Sequence, residues 1–283
     1  MDSGNAALTE LTALIQRVCA RDISVYDEDF LIKSLDKRLA ETGHKTLQAY
    51  CAFLREKPAE GELLFSSLGI SYSEFFRNPL TFSVLEQLVL PALISELKRT
   101  GRKELRVWSA GCASGQEAYS LAILLAELAA RRENSFPFRI FATDSSETGL
   151  AAARAGVYDG AALKNVRLEH LDKYFSRQSG AYALKSEIKS HVDFSAYDLV
   201  AGKLGCPPDS IYGDFDLVFC GNLLFYYRPE IRREILAKVY GCLMPGGYLA
   251  TGEAEREIVA QSGFRAVFPP APIFKKAEVK HET

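Results

Sequence analysis

Two glycines four residues apart, in Gly111-Cys-Ala-Ser-Gly115, follow directly on the strand-like run Glu104–Ser109. Glycine lets a backbone approach a ligand closely. The Ala-, Leu- and Glu-rich stretch Gln116–Ala130 then predicts a helix, whose free N–H groups and positive dipole end would face that turn. The spacing is G-x-x-x-G rather than the G-x-G-x-x-G of dinucleotide sites, and no phosphate-binding lysine follows. A tight turn without a ligand is the plainer reading. Asp144 stands 33 positions after Gly111, at the end of the run Phe138–Ala142. A carboxylate there can accept both hydroxyls of a ribose, or it can simply cap the next helix. Together the two features favour a nucleoside cofactor without choosing one.

The elements around these residues alternate. Strands are predicted at Glu104–Ser109, Phe138–Ala142, Phe215–Cys220 and Tyr248–Thr251, with helices at 116–130, Glu147–Ala155 and Glu230–Leu243, and a Met244-Pro-Gly-Gly247 turn before the last strand. That order implies a parallel α/β sheet. The polar, partly alternating stretch 172–194 reads as a small antiparallel insertion. Before the sheet, residues 1–64 carry apolar stripes at helical spacing, among them Leu11, Leu14, Ile15 and Val18, and predict a small all-α domain. Residues 65–80 are then a linker, and the sheet domain spans 81–283. Within the linker, Ser71-Tyr-Ser-Glu74 has the form of a capping box and predicts a helix start. The stretch Phe82–Leu97 is amphipathic.

Composition narrows the class. The chain has 283 residues, 48% hydrophobic and 25% charged, with a net charge of −2. Such a balance offers no general attraction to nucleic acid or anionic membrane. No uninterrupted apolar run approaches the ~20 residues of a membrane helix, and Met1–Leu8 does not resemble a signal peptide; a cytoplasmic protein is expected. Six dispersed cysteines without a CxxC pair, and four scattered histidines, predict reduced thiols and no metal site.

Met244-Pro-Gly-Gly247 before a strand resembles the late hairpin of the seven-stranded S-adenosylmethionine methyltransferases. Five segments then resemble the CheR family in that family's own order: Ser71-Tyr-Ser-Glu-Phe-Phe-Arg-Asn-Pro79, Arg106–Ser120, Phe141-Ala-Thr-Asp144, Ala155-Gly-Val-Tyr158 and Phe219–Tyr226. The resemblance implies a Rossmann-like class I S-adenosylmethionine methyltransferase sheet with a small β insertion behind an all-α domain. It implies methyl transfer to glutamates of chemotaxis-type receptors; a monomer is the default expectation. By matching position, Gly111, Glu117 and Asp144 should hold the cofactor, with Asp144 on the ribose. Asp198 and Leu199 should pack around the adenine, and Ser71, Ser73 and Arg77 should reach the methionine end. Asn222 matches the asparagine of the family's Arg-Asn pair, and Tyr226 a tyrosine at the reacting centre. Arg77 and Tyr226 are the expected catalytic residues: a guanidinium fork suits a carboxylate, and a glutamate acceptor is already ionised at neutral pH.

The chain departs from the family in several places. Gly221 replaces the usual arginine, in a position that should border the cofactor. Ser71 stands for asparagine, and Gln116 for the first of two glutamates. The helix that docks on receptors is strongly basic in well-known members, whereas the matching stretch Lys33–Thr42 mixes three bases with two acids, and residues 1–78 hold 9 Lys+Arg against 12 Asp+Glu, a net of −3. Lys33, Lys37 and Arg38 could still form a local basic face. The insertion around Gly180 looks shorter than in members tethered to a receptor's C-terminal peptide, so no such tether is expected. These departures leave open a different acceptor, or a silent cofactor-binding module. A nicotinamide dehydrogenase is disfavoured by the glycine spacing.

Overall fold

In the computed structural model of the chain, residues 3–68, 73–131, 136–178, 180–202, 205–210 and 213–276 are described. The chain divides into two compact units, Met1–Ile70 with Phe225–Arg232, and Ser71–Leu224 with Arg233–Thr283.

The first unit holds four helices, α1 (Ser3–Cys19), α2 (Glu28–Thr42), α3 (Leu47–Glu56) and α4 (Ala59–Leu68). The side chains of Asp27 and Thr46 cap α2 and α3. The predicted stripes meet in one core of Leu11, Ile15, Leu31, Leu35, Tyr50 and Leu54. Here the basic-face expectation needs correcting. Arg38 donates to both oxygens of buried Glu60, at 2.5 and 2.8 Å, and to Glu41 at 2.8 Å. Its charge is spent inside the unit, which leaves Lys33 and Lys37 exposed on α2. The segment 225–232 packs here too: Asp27 N–H donates to Tyr226 O at 2.8 Å, and Tyr26 stacks on Tyr227 at 5.2 Å.

The second unit opens with the irregular segment Ser73–Asn78. The helix predicted from Ser71 does not form across it, because Phe76 (φ 51°) and Asn78 (φ 62°) are left-handed; Ser71 itself lies outside the described residues. Helix α5 (Pro79–Val84) starts on a proline and passes through one π turn, Leu85–Val89, into α6 (Leu90–Thr100). Pro91 cannot bond to Gln87, which accounts for the wide turn. By length and composition Pro79–Thr100 could cross a membrane, but Leu85, Val89, Leu93, Ile94 and Leu97 are buried in this unit's core.

Next come β1 (Leu105–Ala110), α7 (Gln116–Ala130), β2 (Phe138–Asp144), α8 (Glu147–Ala155), β3 (Val157–Tyr158), α9 (Leu168–Tyr174), β4 (Phe175–Gln178), β5 (Ala181–Leu184), α10 (Ser186–Lys189) and β6 (Val192–Ala196). They are followed by β7 (Phe215–Phe219), α11 (Pro229–Cys242), β8 (Leu243–Ala250), α12 (Arg256–Ala260), β9 (Phe264–Ala266) and β10 (Ile273–Lys276). The main sheet runs β6-β2-β1-β7-β8-β10-β9, and β3-β5-β4 form a separate antiparallel sheet. The first five strands are parallel, whereas β10 is antiparallel to β8 and β9.

Two boundaries differ from expectation. The stretch 172–194 is not all insertion, since Val192–Ala196 pairs in register with Ile140–Asp144 as the sheet's edge strand. The Pro-Gly-Gly turn is a bulge inside β8, between the pairs Phe215↔Leu243 and Leu217↔Tyr248. A Cβ on Gly247 would sit 3.0 Å from the carbonyl oxygens of Phe215 and Met244, a tighter approach than most side chains make.

Candidate active site

Strand order reverses between β1 and β7, and ligands of open parallel sheets bind beyond the carboxyl ends of the strands at such a switch point. The ends of β1, β2, β6 and β7 carry Gly111, Asp144, Asp198 and Gly221 in turn.

The glycine turn is held from several sides. Gly111 and Cys112 N–H both donate to Thr143 O, at 2.8 and 2.9 Å. Ala113 N–H donates to Asp144 Oδ2 at 2.8 Å, and the Tyr158 hydroxyl donates to Ser114 O at 2.8 Å. Gly111 (φ 78°) and Gly115 (φ 90°) are left-handed, and a Cβ on Gly115 would come 2.9 Å from Ala153 Cβ. Asp144 is not the cap of α8; Ser146 is, its hydroxyl accepting Gly149 N–H at 3.1 Å. Asp144 Oδ1 accepts Ser146 N–H at 2.8 Å. The half-buried carboxylate has about four lone-pair positions, so acceptor capacity remains. Burial pushes its pKa up against the pull of the backbone N–H groups.

Glu117 lies in the first turn of α7, where the dipole favours an anion. Its Oε1 accepts the Ser109 hydroxyl at 2.7 Å. Burial pushes its pKa well above the usual range; the charge of Glu255 pushes the same way, and that of Arg77 opposes it. Gly221 is beside it: a Cβ there would lie 3.4 Å from Glu117 Oε2 and 2.7 Å from the Phe219 ring.

Glu255 is fully buried and holds the loop after β7. Its oxygens accept the N–H groups of Asn222 (2.7 Å), Leu223 (2.6 Å), Leu224 (2.6 Å) and Gly252 (2.7 Å). Asn222 is thereby fixed at φ 61°.

Arg77 is positioned by its neighbours. Phe75 and Phe76 are buried, Phe76 N–H donates to Ser120 Oγ at 2.9 Å, and Glu74 pairs with Lys164 at 2.6 Å. Among the described residues six non-glycines have positive φ, and four of them (Phe76, Asn78, Ala113 and Asn222) flank Arg77, the glycine turn and the loop after β7. Each such conformation costs on the order of 1–3 kcal/mol and persists only where surrounding contacts impose it. The strain is concentrated at one place.

Asp198 directs Oδ1 to its own turn, accepting Val200 N–H (2.8 Å) and Ala201 N–H (3.0 Å), while Leu199 is buried. Tyr197 N–H donates to Asp144 O at 3.0 Å, which fastens this segment to the end of β2. Ser73 is half-buried in the irregular segment. Tyr226 belongs to the first unit, its ring edge-on to Phe30 at 4.8 Å.

Family models match most of the chain: the S-adenosylmethionine-binding domain of the CheR methyltransferases over residues 71–268, and their all-alpha domain over residues 6–68. The chain belongs to the CheR methyltransferase family. It is 33% identical over 260 residues to chemotaxis protein methyltransferase 1 of Pseudomonas aeruginosa, covering 90% of this chain and 92% of that protein. The chemotaxis protein methyltransferase of Escherichia coli is 28% identical over 257 residues, covering 89% of this chain and 84% of that one. As a CheR-family protein it is an S-adenosylmethionine-dependent methyltransferase whose Rossmann-like sheet domain follows an all-α domain along the chain.

The residues present fit that cofactor. A ribose suits the remaining acceptor capacity of Asp144, and Glu117, destabilised as an anion, suits a ligand that brings positive charge. The charge of Arg77 partly offsets that of Glu117, and Gly221 places no side chain beside the pair. Three residues escaped the sequence reading: Glu255, Tyr158 and Ser109. Gly252-Glu-Ala-Glu255 after a strand was a visible G-x-x-E signal, but the partners of Glu255 at 222–224 are some thirty residues away. Tyr158 stood in a family segment without a role.

Proposed function

We propose that this chain transfers the methyl group of S-adenosylmethionine to glutamate side chains on the cytoplasmic domain of a chemotaxis-type receptor. The near full-length match to chemotaxis protein methyltransferases, in both chains compared, carries this reading. When bound, the cofactor supplies a methyl group activated by its sulfonium. Asp144 holds the ribose, the Asp198–Leu199 segment borders the adenine, and the glycine turn from Gly111 leaves room for the nucleoside. Glu117 faces the positively charged methionine end, with Ser73, Gly221 and Asn222 around it. A glutamate acceptor needs no strong base, because it is ionised at neutral pH. The protein therefore has to align the carboxylate and exclude its water, and the guanidinium of Arg77 orients a carboxylate through paired N–H groups. Ser71 and Tyr226 keep the roles implied by the family resemblance.

The test is incubation with methyl-labelled S-adenosylmethionine and membranes carrying the receptors of the source organism. Alkali-labile label on a receptor-sized band is expected, because methyl esters hydrolyse in base. Label that survives alkali, or label on another protein, would assign a different acceptor.

A further inference from the structure

Helix α11 turns two side chains, four residues apart and so on one face, towards the segment after β6. Lys238 Nζ donates to Leu199 O at 2.7 Å and Gly202 O at 2.9 Å. One turn on, the Cys242 thiol lies 2.8 Å from Gly205 O and 2.8 Å from Cys206 Sγ. Both cysteines are free thiols; Cys242 is buried and Cys206 half-buried. The two sulfurs stand 2.8 Å apart, where a disulfide bond needs about 2.05 Å. Gly202, held by Lys238, closes the turn that presents Asp198 and Leu199, its N–H donating to Asp198 O at 2.8 Å, and Cys206 follows it in the chain. Gly213 permits the approach, since a Cβ there would meet Cys206 Sγ at 2.9 Å.

We propose that Cys206 and Cys242 form a reversible oxidation site, and that hydrogen peroxide converts them to a disulfide stapling the chain that follows the Asp198–Leu199 turn to α11. Cys206, the less buried residue of the pair, meets the oxidant through its sulfur and gives up its thiol proton. It attacks one peroxide oxygen, the O–O bond breaks, and the leaving hydroxide takes up a proton as water. Cys206 is then a sulfenic acid. The sulfur of Cys242 displaces the hydroxyl, which leaves as a second water with the Cys242 proton. Two thiols and one peroxide give one disulfide and two waters, and two electrons pass from sulfur to oxygen. In a reducing compartment a pair of this kind cycles rather than persists. The functional consequence rests on the cofactor reading above: with its segment stapled, bound S-adenosylhomocysteine leaves more slowly.

The full chain is treated with hydrogen peroxide, and thiols are counted after denaturation. The expected count falls from six to four, with a peptide cross-link between Cys206 and Cys242 by mass spectrometry. Release of S-adenosylhomocysteine, followed by stopped flow, is expected to slow at least threefold and to recover on reduction with dithiothreitol. Cys206→Ser should lose no thiol to a cross-link and show no peroxide effect on release. Oxidation of Cys206 alone, a cross-link elsewhere, or a formed cross-link with unchanged release would overturn the proposal. If reduced protein fails to bind S-adenosylhomocysteine, the cofactor reading fails instead, while the cross-link is still read by mass.

Discussion

Ala113 donates its backbone N–H to the Asp144 carboxylate at 2.8 Å, so the glycine turn after β1 is fastened to the end of β2 by the residue expected to hold the ribose. One side chain thus shapes the turn and presents acceptors beyond it. The second oxygen accepts Ser146 N–H and fixes the start of α8 in the same way.

Asp144→Ala should therefore do two things at once. Removing a charged acceptor from two backbone donors is expected to lower stability by about 1–3 kcal/mol, read from urea unfolding. Affinity for S-adenosylhomocysteine should fall by more than tenfold in calorimetry, a loss of more than about 1.4 kcal/mol. Unchanged affinity with lowered stability would make Asp144 a structural residue only.

Much of this arrangement could be read from residue order because strand, glycine turn, helix and acid are contiguous signals. Gly111, Gly115, Glu117 and Asp144 all fall within one βαβ unit, where local geometry decides placement. The misses have a common physical origin in long-range contacts. Val192–Ala196 has the same partial alternation as the small sheet before it, and only pairing with β2 assigns it to the main sheet. Ser71-x-x-Glu74 looked like a helix start, but burial of both Phe75 and Phe76 holds that backbone open. Arg38 looked like a surface charge because Glu60 lies 22 positions away.

Glu117 offers a pH test. Burial raises its folded pKa well above the unfolded value, so the folded state binds the proton more tightly than the unfolded chain. That favourable contribution is complete below the unfolded pKa of about 4.3 and is lost as pH rises through the folded pKa. Glu117→Gln should match the parent stability near pH 4 and exceed it increasingly towards pH 8, in melts without cofactor. An equal difference at all pH values would show that Glu117 ionises normally.

Gly115 and Gly43 share a left-handed backbone but not their surroundings. Nothing lies within 4 Å of a Cβ on Gly43, whereas one on Gly115 meets Ala153 Cβ at 2.9 Å and the Phe194 ring at 3.2 Å. Gly43→Ala should cost only the conformational penalty, about 1–2 kcal/mol. Gly115→Ala should add about 1–3 kcal/mol for overpacking. Because Gly115 opens α7 under the glycine turn, only that variant should also weaken S-adenosylhomocysteine binding. Equal costs in urea unfolding would mean that α8 yields freely.

In the helical unit, Glu60 accepts from Arg38 twice and from the Tyr50 hydroxyl at 2.8 Å. The Arg38 hydrogen bonds hold its pKa below the usual carboxylate range, against the effect of burial. A depressed folded pKa contributes stability that is present above the unfolded value, about 4.3, and is lost as pH falls through the folded one. Glu60→Gln keeps the shape but removes the charge, leaving the mostly buried Arg38 guanidinium with the Glu41 carboxylate and a neutral amide in place of the buried one. At pH 7 it should destabilise the unit by about 1.5–3 kcal/mol, the range for hydrogen bonds to charged groups. Hydrogen exchange on the full chain can localise the loss: amides of α2, α3 and α4 should exchange faster, while those of β1 and β2 keep their protection. The difference between parent and variant should close as pH is lowered below 4. If it persists there, the effect comes from packing around Tyr50 rather than from the Arg38–Glu60 charge pair.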